Sequence, residues 1–210
     1  MKKTKSFLRR EEYAALSKTV LDGKILDIGG SKKSGYHELL GGNHEIVTAN
    51  INADYGTDLV FDAEETWPIE DASFDAVLFV NVLEHLYRYE HAVSEARRVL
   101  KRGGKVAGVV PFMFNVHGSP NDHFRYTRHT LERTFADAGF TDTRIRELGT
   151  GAFSVVYHCL IGFVRWDWLA TPLIVLARAL DRIVLWIRPA NKMSAAYMPL
   201  GYFFESTRKD

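Results

Sequence analysis

The chain has 210 residues, of which 46% are hydrophobic and 25% are charged, and its 27 basic side chains nearly balance 26 acidic ones. This composition indicates a globular domain with a full-sized core, and a net charge of +1 argues against a general electrostatic field that recruits nucleic acid. The lysines among the first five residues are not followed by an apolar stretch, so they do not form the pattern of a secretory signal peptide.

Strand and helix patterns alternate along most of the chain. Apolar spacing predicts helices over residues 6–21, 36–40, 88–101 and 127–138. Predicted strands begin at Lys24 and then cover 45–51, 58–61, 74–80, 105–110, 141–148 and 200–206, the last of them at an edge of the sheet. The almost wholly apolar strand 74–80 is typical of a central parallel strand covered on both faces. The alternation predicts a doubly wound α/β fold with a mostly parallel, seven-stranded sheet.

Residues 152–188 interrupt this alternation and predict a helical insertion before the final strand of a single domain spanning residues 1–210. Arg178, Asp181 and Arg182 form one polar stripe on an otherwise apolar helix. A transmembrane helix is disfavoured, because each central arginine or aspartate costs about 2.5–3.5 kcal/mol in a bilayer. Three of the four tryptophans lie here, which suits a membrane interface, a dimer face or a lid. A helical pair packed on the sheet is the simplest alternative.

Cys159 is the one cysteine of the chain. A lone cysteine excludes an internal disulfide and fits a reducing, cytoplasmic location. Its apolar neighbours in the sequence predict a buried, unreactive thiol.

The first strand ends in an acid and two glycines, in the segment Leu26-Asp27-Ile28-Gly29-Gly30-Ser31. Glycines at such a turn let the backbone approach a ligand at the carboxyl end of the sheet. The segment from Gly30 to Gly35 has Walker-like spacing, but Tyr36-His37 stands where a P-loop requires Lys followed by Ser or Thr. The turn also lacks the complete glycine pattern of a dinucleotide site, so NAD is disfavoured.

An ordered set of motifs follows this turn. It consists of Asp62-Ala63, Trp67-Pro68, Ser73-Phe74-Asp75, Val82-Leu83-Glu84-His85, the run from Arg98 to Gly104, and Pro111-Phe112 with His117, Asp122 and Arg125-Tyr126-Thr127. With the glycine turn standing for a D-x-G-x-G motif, residues 24–148 resemble the class I S-adenosylmethionine-dependent methyltransferases, the type 11 branch in particular. The resemblance implies a Rossmann-like fold closed by an antiparallel last strand, and S-adenosyl-L-methionine as the cofactor.

The resemblance also implies the roles of individual cofactor-binding residues. Asp27, Gly29, Gly30 and Ser31 would line the amino-acid end of the cofactor, Asn50 the ribose, Asp62 and Ala63 the adenine, and Asn81 the region below the methyl group. Two positions depart from the family pattern, because Ser31 replaces a glycine and Asn50 replaces an acid. Asp54 is the alternative partner of the ribose. For Asp27 and Asp62, simple capping of a turn is the alternative to a ligand role.

The loop from His117 to Tyr126 supplies candidates for the chemistry of an acceptor. His117 is the predicted general base, since histidine titrates near neutrality. Asp122 would orient it or bind substrate, and Arg125 with Tyr126 would contact an anionic or glycan-like acceptor. The structural alternative is that Asp122, Arg125 and Tyr126 only fix the loop ahead of the next helix. A metal held by His117, Asp122 and His123 has weak support from their spacing, and no metal is expected.

Together these observations predict a cytoplasmic enzyme that methylates an oxygen atom of a small-molecule, glycan or lipid-linked acceptor by in-line transfer. The motifs from Pro111 to Thr127 resemble those of a subgroup of the family that often acts on sugars, and this resemblance implies a glycan-like acceptor. The segment 152–188 would shield that acceptor, mediate dimerisation, or contact a membrane surface peripherally. Nucleic-acid methylation is disfavoured, because the fourth strand is followed by Asn81-Val82-Leu83-Glu84 and there is no basic stripe. The alternative function is a non-catalytic module that binds S-adenosylmethionine or a partner.

Overall fold

The fold is organised around one seven-stranded sheet. The computed structural model describes residues 6–118, 120–164, 166–188 and 193–209, with the side chain of Asp167 excepted. Its strands are β1 (Gly23–Ile28), β2 (His44–Asn50), β3 (Leu59–Val60), β4 (Phe74–Val80), β5 (Leu100–Pro111), β6 (Thr141–Leu148) and β7 (Gly201–Thr207). They lie in the order β3-β2-β1-β4-β5-β7-β6.

Strands β1 to β5 are parallel, and β7 is antiparallel to both of its neighbours, β5 and β6. This arrangement confirms the predicted Rossmann-like sheet with an antiparallel last strand. The strand order reverses between β1 and β4, and such a switch point opens a crevice at the carboxyl ends of the strands. The sheet therefore provides a ligand site beside the glycine turn that follows β1.

The last strand is not an edge strand, and that prediction was wrong. Strand β7 pairs along its length with β5 on one side and with β6 on the other, so β6 is the edge. The physical reason is burial on both faces of β7. Tyr202 and Phe204 pack into the core on one face of the sheet, and Phe203 packs into the core on the other.

Five helices cover the two faces of the sheet within the described residues. They are α1 (Phe7–Leu16), α2 (Tyr89–Val99), α3 (Arg128–Asp137), α4 (Ala152–Leu160) and α5 (Ala170–Ile187). Alternate residues of the central strand separate the two cores: Phe79 packs with residues of α2 and α3, whereas Leu78 packs with residues of α1, α4 and α5. The first helix stops at Leu16, five residues before its predicted end, and β5 begins five residues before its predicted start.

Helix α5 turns Arg178 and Asp181 of its polar stripe toward the protein, whereas Arg182 of the stripe is exposed. Asp181 is 3% exposed, and its carboxylate accepts hydrogen bonds from the backbone N–H groups of Phe153 and Ser154, at 2.9 and 3.0 Å. Arg178 forms an ion pair with Glu11 of α1. These contacts attach α5 to the start of α4 and to α1. Ala170, Ile174 and Ala177 pack into the core on the same side, whereas Val175, Leu176, Ile183, Trp186 and Ile187 lie on the outer surface.

The outer surface of the segment 152–188 is accordingly apolar. Phe163, Trp168 and Trp186 are 84%, 71% and 83% exposed.

Cys159 is also exposed, so the prediction of a buried thiol was wrong. An apolar run in the sequence does not by itself determine which of its residues face the core. Among the described residues, no helix combines the length and the apolar character needed to cross a membrane.

Candidate functional site

A cavity of about 640 Å³ opens at the carboxyl ends of β1, β2 and β4. Its volume lies within the range of roughly 300–1,000 Å³ that is usual for small-molecule sites. The lining residues are Ile28, Gly29, Ala49, Asn50, Ile51, Asn52, Tyr55, Phe61, Asp62, Ala63, Glu64, Asn81, Val82, His85, Leu86, Gly118, Pro120 and Asn121. The cavity is thus built from the ends of neighbouring strands and from the loop that follows β5.

The glycine turn is shaped by Asp27, which lies behind it. Gly29 has φ +75°, a left-handed conformation that favours glycine. A Cβ at Gly30 would lie 1.9 Å from a carboxylate oxygen of Asp27, so no side chain fits there. That carboxylate accepts hydrogen bonds from the Tyr36 hydroxyl at 2.7 Å and from Nε2 of His37 at 2.6 Å. Burial raises the pKa of Asp27, and the bonds from His37 and Tyr36 partly oppose that rise.

The structure brings five of the eight predicted cofactor residues to the cavity wall. These are Gly29, Asn50, Asp62, Ala63 and Asn81. Asp27, Gly30 and Ser31 lie in the same turn but do not line the cavity. The cofactor roles of all eight residues remain predictions.

Asn50 holds the glycine turn from the neighbouring strand. Its amide nitrogen donates to the carbonyl oxygens of Gly29 and Gly30, at 2.8 and 3.2 Å, and its amide oxygen accepts from the N–H of Ile51. An acid at this position could not donate these bonds, which is a structural reason for the asparagine. Asp54, the alternative ribose partner, does not line the cavity and instead contacts Asn52.

Sequence reasoning missed several residues of the cavity wall. Ile51, Asn52, Tyr55, Phe61 and Leu86 line it but belong to no predicted motif. A positional signal was available, because Ile51 and Phe61 directly follow the second and third strands, where a crevice at the carboxyl ends must lie. Their apolar side chains suit the flat faces of an adenine or another ring.

The predicted loop lies at the mouth of this cavity. Gly118, Pro120 and Asn121 line the wall, so His117 stands at the cavity's edge. The Asp122 carboxylate accepts from the backbone N–H of His117 at 2.8 Å and binds both terminal nitrogens of Arg125, at 2.5 and 2.7 Å. These bonds fix the loop, as the structural alternative expected.

The contacts of the loop also affect the ionisation of Asp122 and leave the Tyr126 hydroxyl occupied. The Arg125 guanidinium holds the pKa of Asp122 well below its usual range, while burial acts in the opposite direction. The Tyr126 hydroxyl donates to the carbonyl oxygen of Leu83 at 2.7 Å and is buried. Asp122, Arg125 and Tyr126 therefore have partners within the protein, and their substrate or catalytic roles remain predictions.

A second polar cluster lies beside the cavity, formed by Glu84, His85 and His117. One potential ligand atom of each residue lies within 4.8 Å of the others. Glu84 is fully buried, and its carboxylate oxygens accept no hydrogen bond from another described residue. Burial raises the pKa of Glu84 to about 8, and the charge of Glu12 adds to this rise. Burial lowers the pKa of His85. The sequence motif Val82-Leu83-Glu84-His85 contains both acidic and imidazole residues of this cluster, but neither was among the predicted site residues.

Residues 42–108 match the family model of the methyltransferase domain. Over 90 residues the chain is 39% identical to the ubiquinone/menaquinone biosynthesis C-methyltransferase UbiE of Rhizobium leguminosarum, and the match covers 42% of this chain and 29% of the relative. The chain spans about half or less of the length of the curated relatives it matches.

Two solved structures share the fold. A SAM-dependent methyltransferase of Thermotoga maritima, described as a possible histamine N-methyltransferase, superposes with a TM-score of 0.61 at 17% identity, covering 97% of this chain and 90% of that one. Phosphoethanolamine N-methyltransferase 2 of Haemonchus contortus, in complex with S-adenosyl-L-methionine, gives a TM-score of 0.59 at 15% identity, covering 96% and 53%. At these identities the likeness is evidence for the fold.

The sheet order is that of the Rossmann-like fold shared with these methyltransferase structures, and residues 42–108 match the model of the methyltransferase domain. The predicted resemblance to the type 11 branch is confirmed over the matched residues.

Proposed function

We propose that this chain transfers a methyl group from S-adenosylmethionine to an oxygen atom of a small-molecule, glycan or lipid-linked acceptor. The observation that carries the proposal is the cavity at the switch point of the sheet, whose wall combines the bent turn at Gly29 with Asp62 and Asn81. Similar proteins include a C-methyltransferase and an N-methyltransferase by name, so the choice of oxygen depends on the His117 loop. We treat residues 1–210 as one cytoplasmic domain.

The geometry gives each part of the cavity a task in this reaction. S-adenosylmethionine supplies an electrophilic methyl group on a sulfonium. Asp62 and Ala63 would hold the adenine, Asn50 the ribose and the Gly29 turn the amino-acid end, which leaves the methyl group near Asn81. Most of the acceleration comes from alignment of the acceptor with the methyl–sulfur bond.

His117 is the proposed general base. Its Nδ1 lies 3.1 Å from the carbonyl oxygen of Asn115, which can only accept a hydrogen bond, so Nδ1 carries the proton. The lone pair then resides on Nε2, the atom available to remove a proton from an acceptor hydroxyl. Asp122 would position the ring by fixing the backbone of His117.

Calorimetry with S-adenosylmethionine tests the cofactor site. We expect the parent chain to bind, and Asp62→Asn to bind at least about tenfold more weakly because a charged partner of the cofactor is lost. Asp142→Asn on the edge strand is the matched control and should bind like the parent. His117→Ala should also bind like the parent while losing methyl transfer.

Three outcomes would contradict the proposal or one of its parts. Absence of heat at millimolar cofactor would remove the cofactor assignment and favour a module that binds a partner through this fold. Normal binding with no methyl transfer to any glycan, lipid-linked or small-molecule acceptor would favour a non-catalytic cofactor-binding module. Equal turnover in His117→Ala and the parent would remove His117 from the base role.

We further propose that the outer face of α5 contacts a lipid surface that carries the acceptor. The exposed apolar residues of this helix are Pro172, Val175, Leu176, Ala179, Ile183, Trp186 and Ile187, and Thr171 and Arg182 are exposed beside them. Exposed tryptophans beside an apolar helix face are typical of a membrane interface. The segment 152–188 holds four arginines and two aspartates, and the carboxylate of Asp181 is buried, so the charge on this side favours an anionic surface.

Flotation with vesicles separates this partner from a second copy of the chain. The parent should float with vesicles containing equal parts of phosphatidylglycerol and phosphatidylcholine, and less with phosphatidylcholine alone. Trp168→Ser with Trp186→Ser should remain unbound, whereas Val20→Ser, which changes an exposed apolar residue outside the segment, should float. A parent that stays unbound, and forms a dimer that the double variant abolishes, would assign the face to self-association instead.

A further inference from the structure

We propose that Glu84, His85 and His117 form a binding site for a divalent transition-metal ion, and that the ion holds the oxygen atom of the acceptor. The proposed binding of the ion depends only on the arrangement of these three side chains. Only its use in catalysis rests on the proposed methyl transfer.

The spacing of the three side chains accommodates an ion. Oε1 of Glu84 and Nε2 of His85 are 3.8 Å apart, and the rings of His85 and His117 are 5.0 Å apart. Ligand atoms about 2.0–2.2 Å from a common metal can be separated by up to about 4 Å. The three potential ligand atoms lie within 4.8 Å of one another, so an ion between them requires the side chains to approach by about 1 Å.

Both histidines are oriented as metal ligands. Nδ1 of His85 lies 2.5 Å from the carbonyl oxygen of Asn121, and Nδ1 of His117 lies 3.1 Å from that of Asn115. A carbonyl only accepts, so each Nδ1 is protonated and each Nε2 keeps a free lone pair. A hydrogen bond from the distal ring nitrogen to a carbonyl is the usual support of a metal-bound histidine.

The Glu84 carboxylate is buried and lacks a hydrogen-bond partner among the described residues, and Nε2 of His85 stands 3.8 Å from it. Leaving such a group without a hydrogen bond or a counter-charge is costly. The neighbouring guanidinium of Arg125 is bound to Asp122 through both terminal nitrogens, so it does not pair with Glu84. A cation between Glu84 and the histidines would satisfy the carboxylate.

This set of ligands differs from the one considered for the sequence. Asp122 is occupied by Arg125, and His123 is an exposed residue with its ring against Tyr87. Two imidazoles and one carboxylate suit Zn²⁺, Mn²⁺, Fe²⁺ or Co²⁺, whereas Mg²⁺ prefers oxygen ligands alone. Three protein ligands also leave a position for an acceptor oxygen, and His85 lines the cavity.

The ion would change how the acceptor is activated. A hydroxyl bound to a metal has a lowered pKa, so its proton passes to water and His117 acts as a ligand instead of the base. The oxygen then forms a bond to the methyl carbon, and the carbon–sulfur bond breaks with its electron pair remaining on sulfur. The products are the methylated acceptor and S-adenosylhomocysteine.

Titration of the metal-free chain with Co²⁺ and Zn²⁺ tests the site, with visible absorption of Co²⁺ and calorimetry as readouts. We expect one ion per chain and much weaker binding of Mg²⁺. Glu84→Gln and His117→Asn should each weaken binding of Co²⁺ at least about tenfold, since each removes one of three ligands. His129→Asn, which changes an exposed histidine of α3, should bind like the parent.

Equal affinity for Co²⁺ in the parent, Glu84→Gln and His117→Asn would overturn the proposal, and so would the absence of binding to the parent. Weaker binding in His123→Asn but not in Glu84→Gln would assign the ion to the other set of ligands. Melting curves of both ligand variants show whether they remain folded. A parent chain that binds S-adenosylmethionine but no Co²⁺ or Zn²⁺ contradicts this inference alone, whereas a parent that binds the ion but no cofactor contradicts the proposed function alone.

Discussion

Asp122 illustrates how one carboxylate can organise the mouth of a site without being free to react. Its side chain is 3% exposed and bridges the backbone of His117 and the guanidinium of Arg125. This bridging fixes the loop that places His117 beside the cavity. A role for Asp122 in positioning therefore fits its contacts better than direct proton transfer.

Stability of the Asp122 variant is expected to depend on pH. The pKa of Asp122 in the folded chain lies well below its value in the unfolded chain, so its contribution is present above pH ~4 and is lost as the pH falls through the folded pKa. Asp122→Asn should lower the free energy of unfolding by about 1–3 kcal/mol at pH 7, because Arg125 loses its partner.

Urea unfolding of both chains between pH 3 and pH 7 measures this difference, which should shrink below pH ~4. Asp137→Asn is the control, since its ion pair with Arg133 is exposed and should contribute little. A difference between the Asp122 variant and the parent that stays constant over the whole range would show that the ion pair does not stabilise the fold.

Residues at strand ends were the part of the site that the sequence could predict. Gly29, Asn50, Asp62 and Asn81 follow or end strands with strong patterns, and all four line the cavity. The cluster around Glu84 could not be predicted in this way. It depends on the fold of a loop over 30 residues away, which brings the carbonyl of Asn121 to the ring of His85.

At the scale of secondary-structure elements, α5 and α4 are joined by Asp181. This residue of α5 binds the start of α4 in the way that a helix-capping residue does. Asp181 accepts from two N–H groups in the first turn of α4, and also from the Thr150 hydroxyl at 2.7 Å. Such groups have no partner within their own helix. Arg178 and Asp181 of the polar stripe therefore lie on the inner face of α5, whereas Arg182 is exposed.

Removal of this contact should loosen the pair of helices. We expect Asp181→Ala to lower the free energy of unfolding by about 1–3 kcal/mol, because two buried N–H groups of α4 lose their acceptor. Arg182→Ala, at the exposed neighbouring position, is the control and should change stability by less than about 0.5 kcal/mol. Urea unfolding monitored by tryptophan fluorescence measures both. Equal midpoints would show that α4 does not depend on Asp181.

The sequence alone could not predict whether the polar stripe of α5 faces the protein or the solvent. Periodicity identifies that Arg178 and Asp181 share one side of a helix, but it does not identify whether water or protein covers that side. Here Glu11 of α1 and the open start of α4 provide the partners, and both are distant in sequence. The exposed Cys159 was missed for the same reason.

For the molecule as a whole, the sheet was the most predictable feature. Strands β4 and β6 have the predicted bounds, and the others differ mainly at their ends. Parallel pairing and the switch point follow from the alternation of strands with helices. The position of β7 between β5 and β6 does not, because an antiparallel strand can add at an edge or between two strands with the same local pattern.

The loop after β5 contributes to both the proposed cofactor site and the proposed metal site. Its residues 118, 120 and 121 form part of the cofactor cavity, while the carbonyl of Asn121 orients His85 in the proposed metal cluster. If the chain binds both proposed ligands, a loop conformation that one of them selects is already in place for the other, and the two affinities would be thermodynamically linked. Such linkage is reciprocal: whatever factor the cation adds to the affinity for S-adenosylmethionine, the cofactor must add to the affinity for the cation.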